Sequence, residues 1–269
     1  MKSIGELLND LPIQKTETNV VEKLNKQAET YNNSEGDMKE LDCPICKNKG
    51  YIQKVVFNEM YQKHIPVMVR CECMKKRQTL IKARKSGLGE YINKRFNDFT
   101  VNSDWQKEIK QKAIDYAKVD DDHWFVTLGQ CGSGKTLISC IIANYFLVTK
   151  NKEVIYITWT DFISKLKRDI MSDNSAQVSE YLDTIKKVEL LYIDELLKKY
   201  NETDLKYIIE IINYRYTNNL KTIISSEKTI GELLEIDEAT FSRMVEKADK
   251  YIINIKKDIN KNYRLRNIM

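Results

Sequence analysis

Gly129-Gln-Cys-Gly-Ser-Gly-Lys-Thr136 lies between a short apolar, β-prone run, Trp124–Leu128, and a stretch that is apolar on a helical period, Leu137–Val148. A strand that feeds a Gly-rich turn and then a helix aims a cluster of backbone N–H groups, and the positive end of the helix, at a polyphosphate. Gly132 and Gly134 admit backbone conformations in which a β-carbon would clash. In this arrangement Lys135 reaches the β- and γ-phosphates and the Thr136 hydroxyl ligates Mg²⁺. The expected ATP-binding set is Gly129, Gln130, Cys131, Gly132, Ser133, Gly134, Lys135, Thr136 and Leu137. The stretch predicts a chain that binds a nucleoside triphosphate.

Working outward, the chain alternates strand and helix after this loop. Val154–Thr158 reads as a strand and Asp161–Met171 as a basic amphipathic helix. Val188–Ile193 is a strand, Glu202–Tyr216 a helix with Leu205, Ile208, Ile209 and Ile212 on one side, and Thr222–Ser225 and Tyr251–Ile255 are strands. Such alternation predicts an α/β fold, a P-loop core with a parallel sheet of about five strands covered on both faces. Before the loop, Trp105–Ala117 reads as a helix. Residues 1–38 look helical and polar, most clearly over Val20–Ala28, and Tyr31–Asp37 reads as a linker with Gly36 as breaker. The expected division is an N-terminal helical and metal-binding module over 1–90 and an ATPase domain over 91–269.

Val188-Glu-Leu-Leu-Tyr-Ile-Asp194-Glu195 is a mostly apolar strand that ends in two acids. A buried parallel strand delivers its last residues to the carboxyl edge of the sheet, where ligands bind. Asp194 is placed to hold the hydrated Mg²⁺ that bridges the phosphates, and Glu195 to orient and deprotonate the attacking water. Phosphoryl transfer relies on positioning and charge stabilisation, so a metal-holding acid and a water-positioning acid suffice. The β–α unit between loop and acids places the chain among ATPases in which a further strand separates the two motif strands. That strand would be Thr222–Ser226, with Ser226 beside the γ-phosphate. With only His64 and His123 in the chain, histidine-based hydrolysis has little material.

Four of the six cysteines cluster in the N-terminal third. Cys43-Pro-Ile-Cys46 is a tight turn that sets two thiolates on one side, and Cys71-Glu-Cys73 follows. Together they offer four sulfurs to a tetrahedral, structural Zn²⁺ with no coordination position left for water. His64 is an alternative ligand to one cysteine. β-Prone Tyr51–Phe57 and Ile65–Arg70 lie between the pairs like a metal-clipped hairpin, and the basic helix Met74–Lys85 follows. The cluster and the absence of an evenly spaced cysteine framework point to a reducing, cytoplasmic setting. Charged residues make up 31% of the chain and no apolar run approaches membrane-spanning length, which predicts a soluble protein with no membrane partner. The N-terminus lacks the unbroken apolar stretch of a signal peptide.

With these parts in order the chain resembles the DnaC/DnaI-type helicase loaders, an AAA+ ATPase branch that includes phage-encoded members. The resemblance runs from about Leu41 to near the end. It is carried by Cys71-Glu-Cys-Met-Lys-Lys-Arg77, Arg95-Phe-Asn-Asp-Phe-Thr100, the two nucleotide motifs, Asn213-Tyr-Arg-Tyr216, Thr222-Ile-Ile-Ser-Ser-Glu227, Ile236-Asp-Glu with Ser242-Arg243, and Asn262-Tyr-Arg-Leu265. It implies that Arg243 is an arginine finger reaching a neighbouring subunit's ATP, and that Arg264 or Arg266 acts as a second sensor. It implies a hexameric DnaB-type replicative helicase and single-stranded DNA as partners, oligomerisation on the helicase, and helicase binding by the N-terminal module. Two departures accompany it. The position after the fourth strand is often Asn in this branch, whereas Ser226 is followed here by Glu227, and only a short tail follows Ile255 in place of a helical lid.

Lys165, Lys167 and Arg168 on one helix, and Lys75, Lys76, Arg77, Lys82, Arg84 and Lys85 on another, could track a phosphate backbone. A solvated face or an acidic partner accounts for them equally well. The leading expectation is a Mg²⁺-dependent ATPase that loads a replicative helicase onto single-stranded DNA during replication initiation. The alternatives are an IstB-type transposition helper on duplex DNA, and a zinc-module adaptor that uses ATP only as a switch. The cysteine module argues against the transposition helper, whose relatives usually begin with a helical domain.

Overall fold

A computed structural model describes residues 13–39, 42–119, 121–172 and 175–265. Its compact units are residues 1–80 and 81–269, a division that falls inside the helix Met74–Ser86. Ala83 and Leu88, and beyond them Tyr91, Ile92 and Phe96, pack in the C-terminal unit's core, and Asn144 Nδ2 donates to the carbonyls of Ile92 and Lys94.

The N-terminal unit holds α1 (Ile13–Asn33), the antiparallel hairpin β1 (Tyr51–Asn58) and β2 (Lys63–Arg70), and the first part of α2 (Met74–Ser86). The hairpin register runs from Tyr51 opposite Arg70 to Asn58 opposite Lys63. The free edge of β1 is capped from α1. Asn32 Nδ2 donates to the Gln53 carbonyl at 2.9 Å and its Oδ1 accepts from the Gln53 N–H at 2.8 Å, so one side chain substitutes for a missing strand partner. The expected polar helix is present and longer than Val20–Ala28; the part of that expectation on residues 1–12 lies outside the described residues.

The C-terminal unit is a parallel five-stranded sheet: β3 (Phe125–Gly129), β4 (Val154–Thr158), β5 (Leu190–Asp194), β6 (Lys221–Ser226) and β7 (Ile252–Ile255), in the order β4-β5-β6-β3-β7. Around it lie α3 (Asp104–Lys118), α4 (Lys135–Val148), α5 (Trp159–Met171), α6 (Ser175–Lys187), α7 (Glu202–Thr217), α8 (Ile230–Ile236) and α9 (Glu238–Ala248). Alternate strand residues enter two separate cores. Val126, Leu128, Leu191, Ile193 and Ile224 meet α5 to α9 on one face, and Phe125, Leu190, Tyr192 and Ile223 meet α3 and α4 on the other. That double burial is why the strands read as continuous apolar runs rather than as alternating ones. The sequence reading assigned no element to the region that forms α6, although Val178, Tyr181, Leu182 and Ile185 recur at helical spacing. Among the described residues no helix is long and apolar enough to cross a membrane.

Strand order fixes where the site lies. β6 separates β3 from β5, as the sequence predicts, and Leu128 pairs with Ser226 while Thr158 pairs with Asp194. The carboxyl ends of β3, β5 and β6 therefore open on the same edge of the sheet.

Candidate nucleotide site and cysteine cluster

The loop after β3 is held in a shape that only glycine permits at its critical points. Gly129, Gly132 and Gly134 have φ of 93°, 71° and 90°, all in the left-handed region. A β-carbon on Gly129 would lie 2.1 Å from the Ile255 carbonyl oxygen. Gln130 N–H donates to that carbonyl at 3.0 Å, so the loop base is tied to the end of β7. Ser133 Oγ donates to the Gln130 carbonyl at 2.8 Å, and Gln130 Oε1 accepts from Asp258 N–H at 2.9 Å. The Gly134 backbone then enters α4, whose N-terminus faces the sheet edge.

An open cleft with about 670 Å³ of empty volume lies there. Cys131, Gly132, Gly134, Lys135, Thr136, Leu137, Asp194, Glu195, Ser226 and Glu227 line it, which brings the separate motifs of the sequence to one place. Gly129, Gln130 and Ser133 build the loop without lining the cleft. Burial pulls the Lys135 ammonium below the usual lysine range, against the opposing pull of Cys131, Glu227 and Asp194. Its Nζ donates to the carbonyls of Gly129 at 2.8 Å and Gln130 at 2.6 Å, acceptors that stand where phosphate oxygens could take over.

Asp194 is 3% exposed and is oriented from four directions. Oδ1 accepts from Thr136 Oγ1 at 3.2 Å, from Glu195 N–H at 3.0 Å and from Ser225 Oγ, and Oδ2 accepts from Tyr156 OH at 3.2 Å. The Thr136 hydroxyl and Asp194 carboxylate form an oxygen-donor pair suited to a hydrated Mg²⁺, which keeps several waters and takes one or two protein oxygens. Glu195 has φ 54°, an uncommon conformation for a side chain of its kind that turns the chain sharply after β5. Its carboxylate pairs with Lys198 Nζ at 2.7 Å, and Lys198 also faces Glu227 at 3.7 Å.

Sequence reading missed Ser225 and Tyr156, two of the three hydroxyls on Asp194, and Tyr91, which also lines the cleft. Register was the available signal for Ser225, which sits one residue before the expected sensor position on a strand beside β5. Nothing in the sequence marks Tyr91. Ser226 lines the cleft, and its Oγ donates to the Leu196 carbonyl at 2.7 Å. Arg264 reaches the cleft as well: its Nη1 lies 3.7 Å from Cys131 Sγ, while Tyr263 N–H donates to the Gly132 carbonyl at 2.9 Å. Arg266 lies outside the described residues. Arg243, on α9, is not among the residues that line the cleft.

In the N-terminal unit Cys43, Cys46, Cys71 and Cys73 place their sulfurs within 4.8 Å of one another. Cys43 and Cys71 are 3.7 Å apart and Cys46 and Cys73 3.4 Å. Four sulfurs about 2.3 Å from a tetrahedral Zn²⁺ stand about 3.8 Å apart, so the cluster fits that ion. Lys47, Asn48 and Gly50 all have positive φ, and the turn they make sends Gly50 N–H to Cys46 Sγ at 3.1 Å. Although burial opposes it, this N–H and the adjoining thiols bring Cys46 down to about 7, while burial and the other sulfurs push Cys73 well up. His64 is on β2, with its ring 5.3 Å from that of Phe57, and is not part of the cluster.

Residues 56–267 match the family model of the IstB-like ATP binding protein. YqaM, an uncharacterized protein of Bacillus subtilis (strain 168), is 29% identical over 275 residues, covering 84% of this chain and 86% of its own. The replicative helicase loader DnaC of Buchnera aphidicola subsp. Baizongia pistaciae is 27% identical over 156 residues, covering 57% of this chain and 60% of its own. The crystal structure of the DnaC helicase loader superposes with a TM-score of 0.55 at 19% identity, covering 62% of this chain and 99% of that one, a likeness of fold.

Proposed function

The chain belongs to the family of IstB-like ATP binding proteins, and from that premise we propose that it is a Mg²⁺-dependent ATPase that loads a hexameric DnaB-type replicative helicase onto single-stranded DNA. One observation carries the reading: Lys135, Thr136, Asp194 and Glu195 converge on one cleft, while Arg243 is held away from it. A site with its own phosphate cradle, ion-holding pair and acid, but with its cationic finger pointed elsewhere, suits an ATPase that is completed by a second subunit.

In this reading the loop N–H groups and Lys135 bind the β- and γ-phosphates, exchanging the Gly129 and Gln130 carbonyls for phosphate oxygens. Thr136 and Asp194 would hold Mg²⁺, which would neutralise charge on the transferring phosphoryl group. Ser225 and Tyr156 keep the Asp194 carboxylate oriented. Glu195 leaves Lys198, orients the attacking water and accepts its proton. Arg243 of an adjacent protomer stabilises charge in the transition state, so turnover rises on assembly. Arg264 contacts nucleotide from within its own subunit. The N-terminal unit is the helicase-interaction module, in which Cys43, Cys46, Cys71 and Cys73 would hold a Zn²⁺ that closes the hairpin base. The basic residues of α5 are candidates for contact with single-stranded DNA.

Native mass spectrometry of the protein mixed with a DnaB-type helicase hexamer and ATP tests the loader reading. A discrete complex, lost when the cysteine module is deleted, is expected. A second reading, an IstB-type transposition helper, goes with the match to the IstB-like ATP binding family. Cooperative coating of duplex DNA, with no helicase complex in any nucleotide state, would replace the first reading with the second.

A further inference from the structure

Arg243 is held from the neighbouring helix. Its Nη1 donates to Asn213 Oδ1 on α7 at 2.5 Å, and its guanidinium carbon stands 5.7 Å from the Tyr216 ring centroid. Tyr216 OH in turn donates to Glu246 Oε2 on α9 at 2.9 Å, which closes a ring of contacts between the two helices. Asn213 and Tyr216 are three residues apart and so share one helical face.

The end of α7 that carries them is firmly mounted. Arg215 is fully buried, and its guanidinium donates to Thr222 Oγ1 at 2.9 Å and to the carbonyls of Ile185, Lys186, Val188 and Lys221 at 2.6 to 3.1 Å. Those acceptors lie at the end of α6, just before β5 and at the start of β6, so the mount joins α7 to three separate segments. The sequence segment Asn213-Tyr-Arg-Tyr216 thereby has a division of labour: Arg215 fastens the helix inward, and Asn213 and Tyr216 hold Arg243 on the other side.

The chemistry of the holder matters. Among the described residues no carboxylate pairs with Arg243. An amide oxygen fixes one N–H of the guanidinium without cancelling its charge, which leaves the rest of the fork for a phosphate. A carboxylate would compete with that phosphate for the same donors. The aromatic face limits the swing of the side chain at little cost in solvation.

We propose that Asn213, supported by Tyr216, is a positioning residue that presents Arg243 of one subunit to the nucleotide bound in the next. The inference rests on the reading of Arg243 as a finger acting in trans. The test is ATP turnover per subunit as the concentration of full-length protein rises, for wild type, Arg243→Ala, Asn213→Ala and Asn213→Asp, and for Asn213→Ala mixed with excess Glu195→Gln. Wild-type turnover should climb with concentration and Arg243→Ala should stay flat. Asn213→Ala should lose about tenfold of the climb, as a misaimed catalytic group does. Asn213→Asp should lose a comparable share, because the new carboxylate retains the guanidinium. Affinity for a fluorescent ATP analogue should survive in Asn213→Ala.

The mixture separates positioning from damage to the fold. Glu195→Gln turns over very slowly but offers an intact Asn213 and Arg243 to its neighbour, so it should restore turnover in Asn213→Ala sites. If Arg243→Ala climbs like wild type, or wild type does not climb, the trans-finger reading falls and takes this inference with it. If Arg243→Ala is flat but Asn213→Ala climbs normally, or Glu195→Gln fails to rescue it, the finger stands and the role of Asn213 is overturned.

Discussion

Asp194 is surrounded by three hydroxyls, those of Thr136, Ser225 and Tyr156, and all of them direct a hydrogen bond at its carboxylate. Groups that orient an ion-holding carboxylate commonly tune affinity for the ion by 10- to 100-fold. Ser225→Ala should therefore raise the Mg²⁺ concentration for half-maximal turnover by about tenfold, read by Mg²⁺ titration at saturating ATP. An unchanged titration would leave Ser225 a packing residue. Glu195 differs in kind, since it is partly exposed and its one ion pair among the described residues is with Lys198. Glu195→Gln should lower turnover by about 100-fold or more while ATP still binds, measured as phosphate release beside nucleotide affinity. A variant that still forms and releases its partner complex at normal rates would mean that ATP acts only as a switch.

At the scale of elements, the turn after Cys43 and the hairpin of the N-terminal unit share the cysteine cluster at their base. Cys71 N–H donates to the Gly50 carbonyl at 2.9 Å, which joins the two ligand pairs through the backbone as well. Cys46→Ser, or Zn²⁺ removal by a chelator, should release amide-exchange protection over β1 and β2 and leave β3 to β7 protected. Protection that persists in metal-free protein would show that the hairpin folds without the ion. The mount of α7 makes an opposite kind of element. Burial lowers the Arg215 pKa to about 9, which still leaves it charged at neutral pH, and carbonyl oxygens rather than a carboxylate satisfy it. Arg215→Ala orphans those acceptors and opens a cavity, so unfolding free energy should fall by about 3 kcal/mol, measured by urea denaturation. A loss below about 1 kcal/mol would mean that water replaces the guanidinium at little cost.

For the whole C-terminal unit, both faces of the sheet are covered and the strand order puts the Gly-rich loop, the acids and the serines on one edge. Arg243 is the exception, since α9 holds it outside the cleft. If the site is completed by a neighbour, turnover per subunit should depend on protein concentration and lose that dependence in Arg243→Ala. Steady-state assays over a wide concentration range read both. The likeness of fold to the crystal structure of the DnaC helicase loader covers 62% of this chain.

Much of this was legible in one dimension because the physics is local. A Gly-rich turn between a strand and a helix, two acids closing an apolar strand, and paired cysteines around β-prone runs each declare their chemistry within a few residues. The five parallel strands followed from continuous apolar runs, since a strand buried on both faces has no polar alternation to show. Only the tertiary structure decided the rest. Ser225 and Tyr156 meet Asp194 because strand register brings β4 and β6 beside β5, and Asn213 meets Arg243 because α7 packs against α9. Arg215 is buried because carbonyls from three separate segments converge on it, a coincidence in space that no spacing in the chain records. His64 stands apart from the sulfurs for the same reason: the pleat and register of β2 place it opposite Phe57, whereas the cysteine spacing alone left it within reach.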